Sequence, residues 1–132
     1  MKTQINKKMF LLIMSGLMAS ANQSFAATNL AGCTEDKFVQ GGENTIIKIV
    51  DKSYEPKCLK IKSGSTVTID ATQRHPLTAI TNINGVVNPF ADGSRFNSSQ
   101  TRSMNQVGVF GYFCEAHGDS EGDGMAGVIV VE

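Results

Sequence analysis

From residue 27 onward the chain shows no sustained apolar recurrence at helical spacing. It shows short runs rich in β-branched and aromatic residues, broken at close intervals by turn formers. The runs are Thr45 to Val50, Cys58 to Ile61, Thr66 to Ile69, Leu77 to Thr81, Ser103 to Val107, Val109 to Cys114 and Val128 to Val131, all with strand-type composition. Between them lie Gly41-Gly42, Ser63-Gly64-Ser65, Asn84-Gly85, Asp92-Gly93 and glycines 118, 122 and 124, residues whose backbone freedom suits tight turns. Six to eight short strands in about a hundred residues predict an all-β domain, a two-sheet antiparallel sandwich. No repeat, linker or second domain interrupts residues 27–132. The long polar stretch from Asn82 to Gln100 predicts an irregular excursion with room for a helical turn.

Residues 1–26 follow another plan. Lys2, Lys7 and Lys8 precede an apolar run from Met9 to Ala19, and Ser24-Phe25-Ala26 forms a small-x-small cleavage site. This is the layout of a secretory signal peptide, and a run of about eleven residues is too short to remain as a membrane span. The expected product is an exported protein of the bacterial periplasm, cut after Ala26. Leu30-Ala31-Gly32-Cys33 looks like a lipobox, but mostly polar residues including Asn22, Gln23 and Asn29 separate it from the apolar run. Lipid anchoring through Cys33 is therefore the lesser alternative. The full chain has a formal net charge of zero, which turns acidic once the three leader lysines are removed. Its cations are scattered, without the basic face that phosphate backbones require, so nucleic acid is not an expected partner. A small single domain of this kind is expected to be a monomer.

Export makes cysteine parity informative, because disulfides persist in oxidising compartments. The chain has three cysteines. If Cys33 pairs with Cys58, Cys114 remains as a free thiol where stray thiols are liabilities, and it needs a reason to be there. The reason lies in its company: Tyr112-Phe113-Cys114-Glu115-Ala116-His117, a glycine-rich stretch, then Met125-Ala126-Gly127. Thiolate, imidazole and thioether donors suit copper far better than magnesium, calcium or manganese. Period-two alternation places Phe110, Tyr112 and Cys114 on one face of a strand, and a loop can then fold His117 and Met125 back toward the sulfur. The other histidine of the chain, His75, lies between two predicted strands. His75, Cys114, His117 and Met125 thus account for both histidines, the odd cysteine and one of two methionines beyond residue 26. Taken singly, His75 reads as a surface turn residue and Met125 as core filler; together they read as one metal site. Glu115, Asp119, Glu121 and Asp123 lack the spacing of a calcium loop and read as a solvated acidic loop.

The chain resembles the cupredoxins, blue copper proteins of the plastocyanin and azurin type, over essentially its whole length beyond the leader. The resemblance rests on Tyr54-Glu55-Pro56, Leu59-Lys60-Ile61-Lys62-Ser63-Gly64-Ser65-Thr66-Val67, the isolated His75, Gly111-Tyr112-Phe113-Cys114 with His117, and Gly124-Met125-Ala126-Gly127. It implies a Greek-key sandwich holding one copper near its end, with His75, Cys114 and His117 as trigonal ligands and Met125 as the weak axial one. The placement of Cys33 and Cys58 resembles the azurin disulfide. Seven residues separate His117 from Met125, more than is usual in plastocyanin-like members, a length that loop-closure entropy tolerates. Pro76 follows the first histidine where the family often has Asn, so that position offers the sulfur no N–H. The Ala116 N–H is the expected replacement donor.

The function implied is one-electron carriage by copper cycling between Cu(I) and Cu(II). Redox proteins are the expected partners, including a basic c-type cytochrome that the acids around His117 would steer. Four protein ligands leave no open metal position, and the sequence has no nucleophile–base pair, so enzyme chemistry is not expected. A copper storage or delivery protein and a metal-free secreted binding module are the alternatives. The first fits poorly with so few methionines, and the second leaves Cys114 unexplained.

Overall fold

The computed structural model describes residues 29–132 except Asn82 and Asn84; the predicted signal peptide, residues 1–26, lies outside the described residues. Nine strands form among the described residues: β1 (Val39–Gln40), β2 (Asn44–Val50), β3 (Ser53–Glu55), β4 (Cys58–Ile61), β5 (Ser65–Ile69), β6 (Leu77–Ile80), β7 (Gln100–Met104), β8 (Gly108–Gly118) and β9 (Gly124–Val131). They build a five-stranded sheet in the order β1-β4-β9-β8-β6 and a four-stranded sheet in the order β3-β2-β5-β7. No helix among the described residues is long and apolar enough to cross a membrane.

The two-sheet all-β sandwich is as predicted, but its pairing is mixed where an antiparallel one was expected. β1 with β4, β2 with β5, and β4 with β9 run parallel. In each case the chain between the partners passes through the opposite sheet, so no hairpin fixes an antiparallel direction. Side chains alternate alike in both kinds of pair, which is why the sequence pattern could not separate them.

Alternation sorts the side chains into two cores. Ile47, Tyr54, Leu59, Val67, Phe110, Tyr112, Cys114, Met125 and Ile129 share the space between the sheets. Val109, Ala126, Val128 and Val130 point to the outer face of the larger sheet, where Ala31, Cys33 and Cys58 cover them. β9 is therefore buried on both faces, which explains its unbroken apolar sequence. The cover is tied down by a Cys33–Cys58 disulfide, which engages the thiol that acylation at Cys33 would need.

The polar stretch after β6 is anchored at several points. Asn88 is buried; its Nδ2 donates to Ile80 O (3.2 Å) and Gly111 O (2.8 Å), and its Oδ1 accepts from Phe90 N (3.0 Å). This caps a 3-10 turn, Pro89–Ala91, that drives Phe90 into the core. Arg102 of β7 completes the clamp, donating from Nε to Pro89 O (3.1 Å) and pairing with Asp92 at 2.8 Å, while its guanidinium lies 5.6 and 5.5 Å from the Phe90 and Phe96 ring centres. Arg102 also holds the Asp92 carboxyl below its ordinary range. The strand expected at 103–107 sits earlier, at 100–104; its inward position 102 holds a cation over two rings, which a pattern of apolar alternation does not reveal.

Candidate metal centre

Cys114 ends the regular part of β8. Phe110, Tyr112 and Cys114 share the inner face as the alternation required, and Cys114 is the one free cysteine among the described residues, fully buried. His117 follows three residues later, which in a regular strand would send it to the opposite face. A bulge prevents this. Between the Phe113–Ala126 and Gly118–Gly124 pairs, residues 114–117 of β8 face Met125 alone on β9, and such an excess of residues bends a strand and re-aims its side chains. The His117 Nδ1 thereby comes to 3.6 Å from the Cys114 Sγ. Directly behind the bulge the two strands are pinched together. A Cβ at Gly118 would lie 2.6 Å from Met125 O, and Gly124 holds a φ of +70° against His117 O, so both positions need glycine. β8 and β9 thus extend further than the sequence predicted, and the site sits inside a distorted hairpin, where an open loop had been expected.

His75 arrives from the other side of β8. Its N–H donates to Thr72 O (3.1 Å) and its carbonyl accepts from Thr72 N (3.0 Å), closing a turn. Pro76 O then accepts from Glu115 N at 3.2 Å, and Leu77 pairs directly with Cys114. Leu77 is fixed in turn by two hydrogen bonds with the Phe96 backbone, of 2.8 and 2.9 Å. The His75 Nδ1 lies 3.7 Å from Cys114 Sγ, and the two imidazole centroids are 4.9 Å apart.

The three donor atoms lie within 4.8 Å of one another, with Cys114 buried, His75 half-buried and His117 exposed. Sulfur and nitrogen ligands bound to one small first-row ion, at about 2.3 and 2.0 Å and at angles between tetrahedral and trigonal, sit about 3.5–3.8 Å apart. The observed 3.6 and 3.7 Å fit that spacing. Met125 stands opposite the bulge in the same inter-sheet cluster as Cys114, 2% exposed. Among the described residues the polar groups within hydrogen-bonding distance of Cys114 Sγ are the two imidazoles. The expected Ala116 N–H contact is not among them; it is the neighbouring Glu115 N–H that ties the bulge, to Pro76.

Tyr54 was visible in the sequence only as part of a motif. Its ring meets Tyr112 edge-on at 4.9 Å. Burial first, and then the Cys114 charge, push its phenol far above the ordinary value, and Tyr54 shares the inter-sheet core with Cys114. The acidic loop serves itself: Asp119 Oδ1 accepts from the Glu121 and Asp123 N–H groups, each at 3.0 Å.

No protein-family model and no curated protein sequence matches the chain. Solved structures do. A copper-containing nitrite reductase (NirK) from Thermus scotoductus SA-01 aligns over 75% of this chain with a TM-score of 0.56 and 19% identity, and the chain spans 29% of that protein's length. A pseudoazurin from Sinorhizobium meliloti aligns over 71% of this chain and 75% of its own, with a TM-score of 0.53 and 23% identity. A pseudoazurin from Methylobacterium extorquens AM1 aligns over 67% and 74%, with a TM-score of 0.51 and 16% identity. The strand order, the mixed pairing and these likenesses together show that the chain has the cupredoxin fold.

Proposed function

We propose that this chain is an exported blue copper protein that carries single electrons, in which His75, Cys114 and His117, with Met125 as the fourth ligand, would hold the copper. The carrying observation is a buried thiol flanked by two imidazole nitrogens at 3.6 and 3.7 Å. Two nitrogens, a thiolate and a thioether form the donor set of blue copper sites. Copper bound there supplies a one-electron couple between Cu(I) and Cu(II). The chain's part is to hold the donors still. Leu77 and the Glu115–Pro76 hydrogen bond tie the Cys114 and His75 segments together, and the glycine pinch fixes His117 beside Met125. Little then has to move when the charge changes. His117 is exposed and forms the edge through which electrons enter and leave. With four protein ligands no metal position stays open for substrate, so a carrier is favoured over an enzyme. The test is the optical spectrum after addition of Cu(II): an intense visible thiolate-to-copper band is expected. A weak tetragonal band would point to a storage or delivery role, and no change to a metal-free binding module.

The partner follows from charge. Glu115, Asp119, Glu121 and Asp123 are exposed beside His117, and only Glu115 is partly offset, by Arg95 at 3.6 Å. A basic redox protein such as a c-type cytochrome is favoured, steered by its field toward the His117 edge. Its association rate with the copper-loaded protein is expected to fall as ionic strength rises from low to physiological values. A rate flat across that range rejects the acidic docking face while leaving the carrier reading standing.

A further inference from the structure

The loop that joins the two halves of the metal hairpin does not project freely; it folds back onto the outer face of the larger sheet. Residues 119–123 form a compact turn closed by Gly122 N to Asp119 O (3.1 Å) and Asp119 N to Asp123 O (3.2 Å). Gly122, at φ +87°, meets the N-terminal segment: a Cβ there would lie 2.7 Å from Leu30 Cδ1 and 2.9 Å from Ala31 N. The other Leu30 methyl fills the matching space on β8, where a Cβ at Gly111 would lie 2.7 Å from Leu30 Cδ2. One side chain therefore spans from the middle of β8 to the tip of the loop between His117 and Met125, seated in two hollows that exist because both residues are glycine.

Leu30 is itself held in place. Gly32 N donates to Asn29 O (3.1 Å) and Cys33 N to Leu30 O (3.0 Å), and Ala31 and Gly32 take left-handed φ values of 56° and 71°. This tight turn is fastened to β4 by the Cys33–Cys58 disulfide, and β4 pairs with β9 at Cys58–Val128, beside the Gly111–Val128 pair of β8. The anchor thus grips the same strand that carries Met125, a few residues beyond it.

We propose that Leu30 is a positioning residue for the metal hairpin, kept at its post by the Cys33–Cys58 bridge, so that the N-terminal segment braces the loop that sets His117 against Met125. This rests on the copper reading for its function but not for its geometry. One corollary concerns processing. Cleavage after Ala26 retains the brace, whereas cleavage before Cys33 would remove Leu30.

The test uses hydrogen exchange in the metal-free protein. Leu30→Ala is expected to speed exchange of the Glu121, Gly122 and Asp123 amides by about tenfold, as removal of a half-buried aliphatic contact from a locally opening loop implies. Amides of the β2–β5 pair should change only by the loss of global stability measured in denaturant. Leu30→Met, which keeps the volume, should restore protection, and Cys33→Ala with Cys58→Ala should reproduce the loop effect with Leu30 present. If Leu30→Ala does not fold, Leu30→Val gives the same comparison with a smaller change. In the copper-loaded protein, Leu30→Ala should keep its visible band but lose copper to a chelator several-fold faster. Loop amides that accelerate no more than those of β2 and β5 overturn the brace, whatever the colour of the protein. A wild-type protein that takes up no copper overturns the copper reading and leaves the exchange result to decide the brace.

Discussion

Cys114→Ser is expected to abolish the visible copper band completely and to lower copper affinity by more than about a hundredfold, since loss of mere outer-shell partners already costs about 10- to 100-fold. The band requires charge transfer from sulfur, and Cys114 is the only free cysteine in the described chain, so no other residue can restore it. The fold should survive. Serine is close in size to cysteine, and its hydroxyl would stand near two imidazole Nδ1 atoms now 3.6 and 3.7 Å from the sulfur, so the buried oxygen has partners. Circular dichroism and a denaturant titration of the metal-free variant check that point independently of colour. His75→Ala and His117→Ala should alter or weaken the band without the total loss that follows removal of sulfur. A Cys114→Ser protein that stayed coloured would refute the ligand assignment.

What the sequence disclosed about this site was its inventory rather than its geometry. His75, Cys114, His117 and Met125 could be picked out because residues 27–132 hold so few soft donors, and alternation correctly put Cys114 on the inner face of β8. The means by which His117 reaches the same point was hidden. A bulge that sets residues 114–117 against Met125 depends on two strands being pinched together at Gly118 and Gly124, and a glycine in a sequence reads equally well as an open loop. The same holds elsewhere. The two-residue β1 and three-residue β3 are too short to show a period, and β3 pairs through a tight turn in which Asp51 takes φ 55°. Arg102 breaks the alternation of β7 because its inward partners, Phe90 and Phe96, lie in the preceding excursion. The Leu30 contacts join residues far apart in the chain, and nothing in the local pattern of residues 29–33 announces them.

Removing the Cys33–Cys58 bridge by the double substitution Cys33→Ala and Cys58→Ala is expected to cost about 3.5 kcal/mol in the chain-entropy model for a loop of this length; the two residues are 25 apart in sequence. Both must be replaced together, because a single substitution leaves a thiol that can exchange with Cys114 during folding and turns a stability measurement into a redox one. Alanine is preferred to serine, since Cys33 and Cys58 lie in an apolar cluster with Val109, Ala126, Val128 and Val130, where a hydroxyl would be buried without a partner. Urea titration of the metal-free double variant against the parent gives the difference, with an unchanged slope if the denatured chains expose similar surface. A loss well below about 1 kcal/mol would mean that the N-terminal segment adds nothing to the fold beyond its own contacts. Mass spectrometry of the protein isolated from cells tests the premise directly. A mass two hydrogen atoms below the fully reduced value is expected, whereas a diacylglyceryl group on an N-terminal Cys33 would exclude the bridge and mean that Leu30 had been removed with everything before Cys33.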